Sequence, residues 1–580
     1  MKRELLLKAL SRRKFIRNSV IAAGGATVLP AFLTSCDDGD SFSPEGEFGF
    51  FEGVASFDPS QTNIILWTRY TPASNEIDKP EIILDVASDA NFNNLVASET
   101  VEIDVASDYT VNVDLGGLNS NTAYYYRFRN DRTQAVSPTG QTQTLPAAGE
   151  ANEVKIAVLS CANFQAGLFN VYGAVAESDV DVVVHMGDYI YEYGEGGYGT
   201  NENTVPLNRV HEPAGEIIEI NEYRARYQQY RRDEQLQRVH QLKPFITVWD
   251  DHEITNDAYQ NGAENHQADE GDYETRKMNA IQVWHEYLPA RVADNSKIYR
   301  SFNLGGIADL MMLDTRIIGR ERQLNIQDYI TLTGGNIGID TQRFAQDWQD
   351  PNRTILGSEQ RDWLINEMGS STARWQVIGS QVLMGKYYVP AELLIQIGTI
   401  ASGGANQEVL DEFNTLVAEL LAIKTRMANG DPSVTSAERA RVENVLPYNL
   451  DAWDGYPAER EAIYAASSGK NLVAIAGDTH NAWYAEMSDI SANRVGVEFA
   501  TSSVSSPGFE GIFGNDPAVI SGLEQTLVGL VDGLLYSDAS RRGFLKVTFT
   551  EADATAEWNF IGTLASPDTS TTQGNSVTVS

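Results

Sequence analysis

Four apolar runs of this sequence end in side chains that bind cations. Residues 155–159 lead into Ser160-Cys161-Ala162-Asn163, and residues 181–186 into Gly187-Asp188-Tyr189-Ile190-Tyr191. Residues 245–249 lead into Asp250-Asp251-His252-Glu253, and residues 472–476 into Gly477-Asp478-Thr479-His480. A thiol, a phenol, carboxylates and imidazoles arriving together form a mixed soft and hard donor set, suited to a transition metal beside a harder cation. Each fragment alone has an ordinary explanation: Gly-Asp after a strand is a common turn, and a lone buried cysteine packs as a small apolar group. Recurrence at strand ends is what carries the chemistry, because side chains from several strands converge outside their carboxyl ends in an open α/β sheet.

The elements that must position these residues fall into two parts. Residues 48–147 hold short strand-like runs at 63–69, 81–86 and 122–129, separated by turn residues. The alternation Ala123-Tyr124-Tyr125-Tyr126-Arg127-Phe128, after Leu115-Gly116-Gly117-Leu118, resembles the late strands and corner tyrosine of a fibronectin/Ig-like β-sandwich, and a structural role is expected for it. From 150 to 565 strands alternate with helical segments at 166–177, 222–240, 276–288, 359–367 and 408–427, which predicts an α/β domain. Tyr223, Tyr227 and Tyr230 follow i, i+4, i+7 spacing, so one face of their helix should be buried. Residues 330–353 read as a surface insertion, and the Ser/Thr/Gln-rich residues 566–580 as a flexible tail.

The whole chain of 580 residues has room for more than one folding unit. It carries 43 Lys+Arg against 80 Asp+Glu, a net charge of −37, which excludes a basic surface that would neutralise nucleic-acid phosphates. Two cysteines, Cys36 and Cys161, cannot make a disulfide scaffold. Residues 1–35 have a basic start with Arg12-Arg13 and a short apolar stretch, and they end in Leu33-Thr34-Ser35. This resembles a twin-arginine export signal finishing in a lipobox, so that Cys36 would carry the lipid and residues 36–47 would form the tether. Cleavage takes away seven basic residues and one acid, so the acidity belongs to the exported part. The expected location is periplasmic or cell-surface, anchored to the membrane through Cys36, with a monomer favoured.

Gly187-Asp188-x-x-Tyr191, Asp251-His252-Glu253 and Gly477-Asp478-x-His480 resemble a variant of the calcineurin-like, purple-acid-phosphatase-like metallophosphoesterase pattern. Ser160-Cys161-x-Asn163 at the first motif, Asp-Asp-His at the third and Gly-Asp-x-His at the last are the form found in PhoD-like alkaline phosphatases. Phe51-Glu52-Gly53-Val54-Ala55-Ser56, Asp314-Thr315-Arg316 and Ser502-Ser503-Val504-Ser505-Ser506-Pro507-Gly508 extend the likeness over most of residues 48–562. The resemblance implies two packed β-sheets flanked by helices, Fe3+ with Ca2+ as cofactors, and phosphate esters as substrates. It implies that Cys161 and Tyr191 bind iron, Asp188 bridges the metals, Asp251 binds the second metal, and Asp478 and His480 complete the set.

Two cations bridged by an aspartate acidify a water, so hydrolysis of phosphomonoesters needs no strong base and no phospho-enzyme. Arg316 is expected to hold phosphate oxygens through its planar fork, and His252 to donate a proton to the leaving oxygen. Gly-x-Ser-x-Gly, His-Glu-x-x-His and Walker motifs are absent, which leaves serine-hydrolase, zincin and P-loop chemistry unsupported. The alternatives are a phosphodiesterase or phospholipase D-like hydrolase at the same site, and a non-catalytic metal-binding lipoprotein.

Overall fold

A computed structural model describes residues 46–76, 79–333, 336–400 and 407–580. The signal, Cys36 and most of the tether lie outside the described residues. Among those described, no helix is long and apolar enough to cross a membrane.

Two large sheets lie face to face. In a nine-stranded sheet the strands Glu153–Leu159, Val182–His185 and Pro244–Thr247 run parallel. In a seven-stranded sheet Ala308–Met312, Trp375–Ser380, Leu472–Ala476 and Arg494–Ala500 do the same. Alternation of side chains across a strand divides the second sheet between two cores. Leu310, Met312, Val377, Val473 and Ile475 join Val158, Val184 and Val547 between the sheets. Their neighbours Met311, Leu313, Ile378 and Ala474 point outward to Leu364, Met368, Ile463 and Tyr464 on helices Gly357–Ser370 and Pro457–Ala466. With both faces covered, these strands are apolar throughout, as parallel strands are.

On the outer face of the nine-stranded sheet, the helical stretch expected at 222–240 is two helices, Ile220–Arg231 and Glu234–Leu242. Asp233 makes the break: its carboxylate accepts from Gln235 N and Leu236 N and caps the second helix. Tyr223, Tyr227 and Tyr230 are all buried.

The N-terminal strands do form a sandwich, but it is not a separate body. Val54–Phe57, Ile64–Arg69 and Thr110–Leu115 are the end of the nine-stranded sheet, joined to it by parallel pairing of Ser56 with Pro244. The opposing sheet is built on Glu81–Ala87 and Ala123–Asn130. Ile64 and Leu66 face Leu84, Tyr126 and Phe128 inside the sandwich, while Ile65 and Trp67 face the α/β domain. That double burial is why residues 63–69 show no polar alternation. Tyr124 Oη accepts from Asn119 N at 2.9 Å, the local contact a corner tyrosine makes.

One expectation fails at the C-terminal edge. Residues 566–580 are not a flexible tail: Thr571–Val579 is a strand paired with Ala554–Ile561. Its threonines and valines are β-branched, and Val577 and Val579 pack partly against the core. The insertion at 330–353 has structure of its own, a hairpin of Ile330–Thr333 with Asn336–Ile339 followed by helix Thr341–Trp348, whose Phe344 packs with Tyr329 and Leu450.

Candidate metal centre

The four motif-bearing strands end on one edge, and the loops beyond them touch. Cys161 N donates to Gly187 O at 3.2 Å, and Ala162 N to Asp188 O at 2.9 Å. Gly187 has φ +98°, and a Cβ there would sit 2.4 Å from the backbone nitrogen of Asp250, so only glycine lets these loops meet. Cys161, Asp188, Asp478 and His480 are themselves left-handed, with φ of 62°, 54°, 63° and 63°. Such a conformation costs roughly 1–2 kcal/mol in a residue with a Cβ. Four instances within one cluster mark a functional site held by its surroundings.

The first donor group joins Cys161, Asp188 and His480, with one ligand atom of each within 4.8 Å of the others. Tyr191 completes it, its Oη 3.0 Å from Asp188 Oδ2 and 3.3 Å from His480 Nε2. His480 Nδ1 lies 2.8 Å from the carbonyl oxygen of Pro507. A carbonyl only accepts, so Nδ1 carries the proton and the lone pair sits at Nε2, facing the group. Burial, then the Asp188 carboxylate, pushes the Cys161 thiol well up, and the Tyr191 phenol rises for the same reasons with Cys161 beside it. Both therefore hold their protons until a cation replaces them.

A second group joins Asp188, Asp251 and His252, and a third joins Asp250, Asp251 and Asp478. Asp188 thus links the first to the second, and Asp251 the second to the third. Burial, with Asp251 and Asp478 nearby, outweighs His252 and Arg316 and pushes Asp188 up to about 7. Asp250 Oδ2 is buried with no hydrogen-bond partner. An unpartnered buried carboxylate oxygen is costly, and beside Asp251 and Asp478 it fits a cation. Glu253 ties the loops together, accepting from Asp188 N, Tyr189 N and Asp250 N at 3.0, 2.6 and 2.8 Å.

His252 and Arg316 are brought to the centre, and both are buried there. His252 Nδ1 is 2.6 Å from Glu192 Oε2, which leaves Nε2 for the second group. Burial alone would raise the Glu192 carboxyl, yet His252 and the N–H groups of Asn256 and Asn265 hold it below its usual range. Loss of such a carboxylate partner typically costs about 10–100-fold in metal affinity or activity, and Glu192→Gln should do so with the fold intact. Metal titration beside a thermal melt checks this. Arg316 is fully buried, and its guanidinium pairs with Asp250, Asp451, Asp478 and Asp251. The expected phosphate contact is therefore corrected: four carboxylates from three loops occupy the fork.

A cavity of about 330 Å³ opens beside the cluster, with Asp478, Thr479, His480 and Asn481 on its wall. His252 and Arg316 do not line it. Sequence reasoning missed Glu192, Glu253, Tyr198 and Ser506 as site residues. Tyr198 Oη sits 2.9 Å from His480 Nδ1, and Ser506 Oγ 2.7 Å from Tyr191 Oη. The serine-rich run at 502–506 and the acid next to Tyr191 were the available signals.

The PhoD-like phosphatase family pattern matches residues 156–558, and its N-terminal domain pattern matches residues 38–146. The chain belongs to the PhoD-like phosphatase family. Membership makes it a hydrolase of phosphoric esters. Alkaline phosphatase D of Bacillus subtilis (strain 168) is 32% identical over 521 residues, covering 86% of this chain and 76% of that protein. A solved PhoD structure superposes with a TM-score of 0.70 at 26% identity, covering 93% of this chain and 91% of that one. Purple acid phosphatase PPD1 from yellow lupin seeds, at 13% identity and a TM-score of 0.50 over 91% of this chain and 73% of its own, shares the fold alone. The donor groups of this PhoD-like chain thus sit in a metallophosphatase fold, at the strand ends where such a fold gathers its ligands.

Proposed function

We propose that this protein is an exported, metal-dependent alkaline phosphatase acting on phosphomonoesters, anchored to a membrane through a lipid on Cys36. One observation carries the catalytic part: a thiol, a phenol, a carboxylate and an imidazole meet beside an oxygen-rich group and are linked to it through Asp188 and Asp251. Cys161, Asp188, Tyr191 and His480 fit Fe3+, and Asp250, Asp251 and Asp478, with Asp188 beside Asp251 in the second group, fit Ca2+. Bound there, the cations supply Lewis acidity toward the phosphoryl group and acidify a water to a usable nucleophile.

The chain's own residues do the rest. Pro507 keeps the His480 proton on Nδ1, and Glu192 orients His252 through its own Nδ1. Arg316 holds the carboxylate loops in register. The anionic phosphate is drawn by local cation charge against the overall negative field. Export and anchoring rest on residues 1–36, with the Arg12-Arg13 pair and the Leu-Thr-Ser-Cys ending as their support.

Because Cys161, Tyr191 and Asp188 all have raised proton affinities in the unfilled site, metal uptake should release protons and strengthen as pH rises. Below about 7, protonated Asp188 competes with the cation, so apparent affinity should fall there. Titration of apoprotein with iron in weakly buffered solution, with a pH electrode, reads this directly. For the function, metal-replete protein should release phosphate from p-nitrophenyl phosphate, lose that activity to a chelator, and regain it with iron and calcium. A faster rate on bis(p-nitrophenyl) phosphate would favour a diesterase. No release from either ester would overturn the reading.

A further inference from the structure

The serine-rich run that follows strand Arg494–Ala500 is laid along the loop that carries Cys161. Val504 N donates to Ser160 O at 2.9 Å, and Ser505 Oγ donates to Asn163 O at 2.7 Å. Ser505 N and Ser506 N both donate to Cys161 O, at 3.3 and 3.2 Å. One residue further on, the Pro507 carbonyl accepts from Tyr198 Oη at 3.0 Å as well as from His480 Nδ1. These contacts fix the backbone of the run without the Ser506 hydroxyl.

Ser506 Oγ lies 2.7 Å from Tyr191 Oη and 3.0 Å from Cys161 O, and Ser506 and Tyr191 are both buried. The hydroxyl has one proton to give to these two oxygens. Cys161 O already accepts from two backbone N–H groups, so it is satisfied without that proton. On the other side of the phenol, Asp188 Oδ2 and His480 Nε2 stand 3.0 and 3.3 Å from Tyr191 Oη, and both are acceptors for the phenol's own proton. The Ser506 proton is therefore the one aimed at the phenol oxygen.

We infer that Ser506 is a positioning residue for iron binding: its hydroxyl holds Tyr191 Oη against Asp188 and His480, and it donates to the phenolate oxygen once a cation has replaced the phenol proton. The inference rests on the reading of Cys161, Asp188, Tyr191 and His480 as the iron group. A hydrogen bond to a charged acceptor is roughly twice as strong as one between neutral groups, so the contact gains strength when the metal binds and favours the loaded form. It also lowers the energy of the phenolate electrons. Partners of a ligand tune a metal in this way without touching it.

The test reads the visible absorption of metal-replete protein, where a tyrosine phenolate on ferric iron gives a charge-transfer band. Ser506→Ala keeps the backbone N–H to Cys161 O but removes the donor, so the band should move to longer wavelength while iron affinity falls about 10–100-fold and calcium stays. Ser506→Thr keeps the hydroxyl and should leave the band where wild type has it. A wild-type band in iron-loaded Ser506→Ala would overturn the inference and leave the iron group in place. If Ser506→Ala takes up no iron, Ser506→Thr decides: a wild-type band there supports the hydroxyl's role, and loss of iron from that variant too overturns it, since the contact is then one of packing alone. No phenolate band in the wild-type protein would overturn the assignment of Tyr191 to iron and this inference together.

Discussion

Asp188→Asn should abolish binding of both cations and lower kcat/KM by at least about a thousandfold, since even an outer-shell partner of a ligand is worth about 10–100-fold. Asp188 is the residue that the first and second donor groups have in common. Its Oδ2 accepts from Tyr191 Oη at 3.0 Å, and its Oδ1 lies 3.4 Å from His252 N. Asparagine keeps the shape and tolerates the φ of 54° that position 188 requires. Loss of function will therefore not be loss of fold. The metal-free variant should melt at or above the temperature of metal-free wild type, because one carboxyl leaves a crowded, buried acidic cluster. Wild type should gain melting temperature on adding iron and calcium and the variant should not, by mass action on the folded state. A thermal melt with and without metals, beside phosphate release, checks both halves.

Cys161→Ala should be more selective: iron is lost, calcium stays, and kcat/KM falls by more than about a hundredfold. Cys161 belongs to the first group alone, whereas Asp250, Asp251 and Asp478 contain no atom of it. Alanine has the same Cβ, so the left-handed backbone at 161 is strained no further than it already is. Elemental analysis of the purified variant reads the two metals separately. Equal loss of both metals from this variant would mean that Asp188 alone does not organise the calcium group.

The pair of results would also separate what the sequence made legible from what it did not. The candidate ligands were readable because each follows an apolar run, and parallel strands bring their carboxyl ends to one edge. Arg316 was placed correctly in the neighbourhood but with the wrong partner. Its role depends on Asp451, which carries no motif, and on Asp250 and Asp478, which reach it only after two sheets have packed. His252 was read as a proton donor to the leaving oxygen; its Nδ1 is paired with Glu192, the residue after Tyr191. Nothing in a linear pattern reports that pairing. The sandwich was visible as strands, but its merger with the catalytic sheet was not, since double burial of Ile64–Arg69 erases the alternation that marks a free face. The C-terminal strand was hidden by composition: Ser, Thr and Gln read as a tail until the threonines find an edge to pair with.

The central claim is that Cys161, Asp188, Tyr191 and His480 together hold iron. X-ray absorption at the iron edge, on metal-replete wild-type protein, tests it most directly. The account predicts one sulfur neighbour beside nitrogen and oxygen neighbours, with the sulfur missing from any iron retained by Cys161→Ala. Iron surrounded by nitrogen and oxygen alone in the wild-type protein would contradict it.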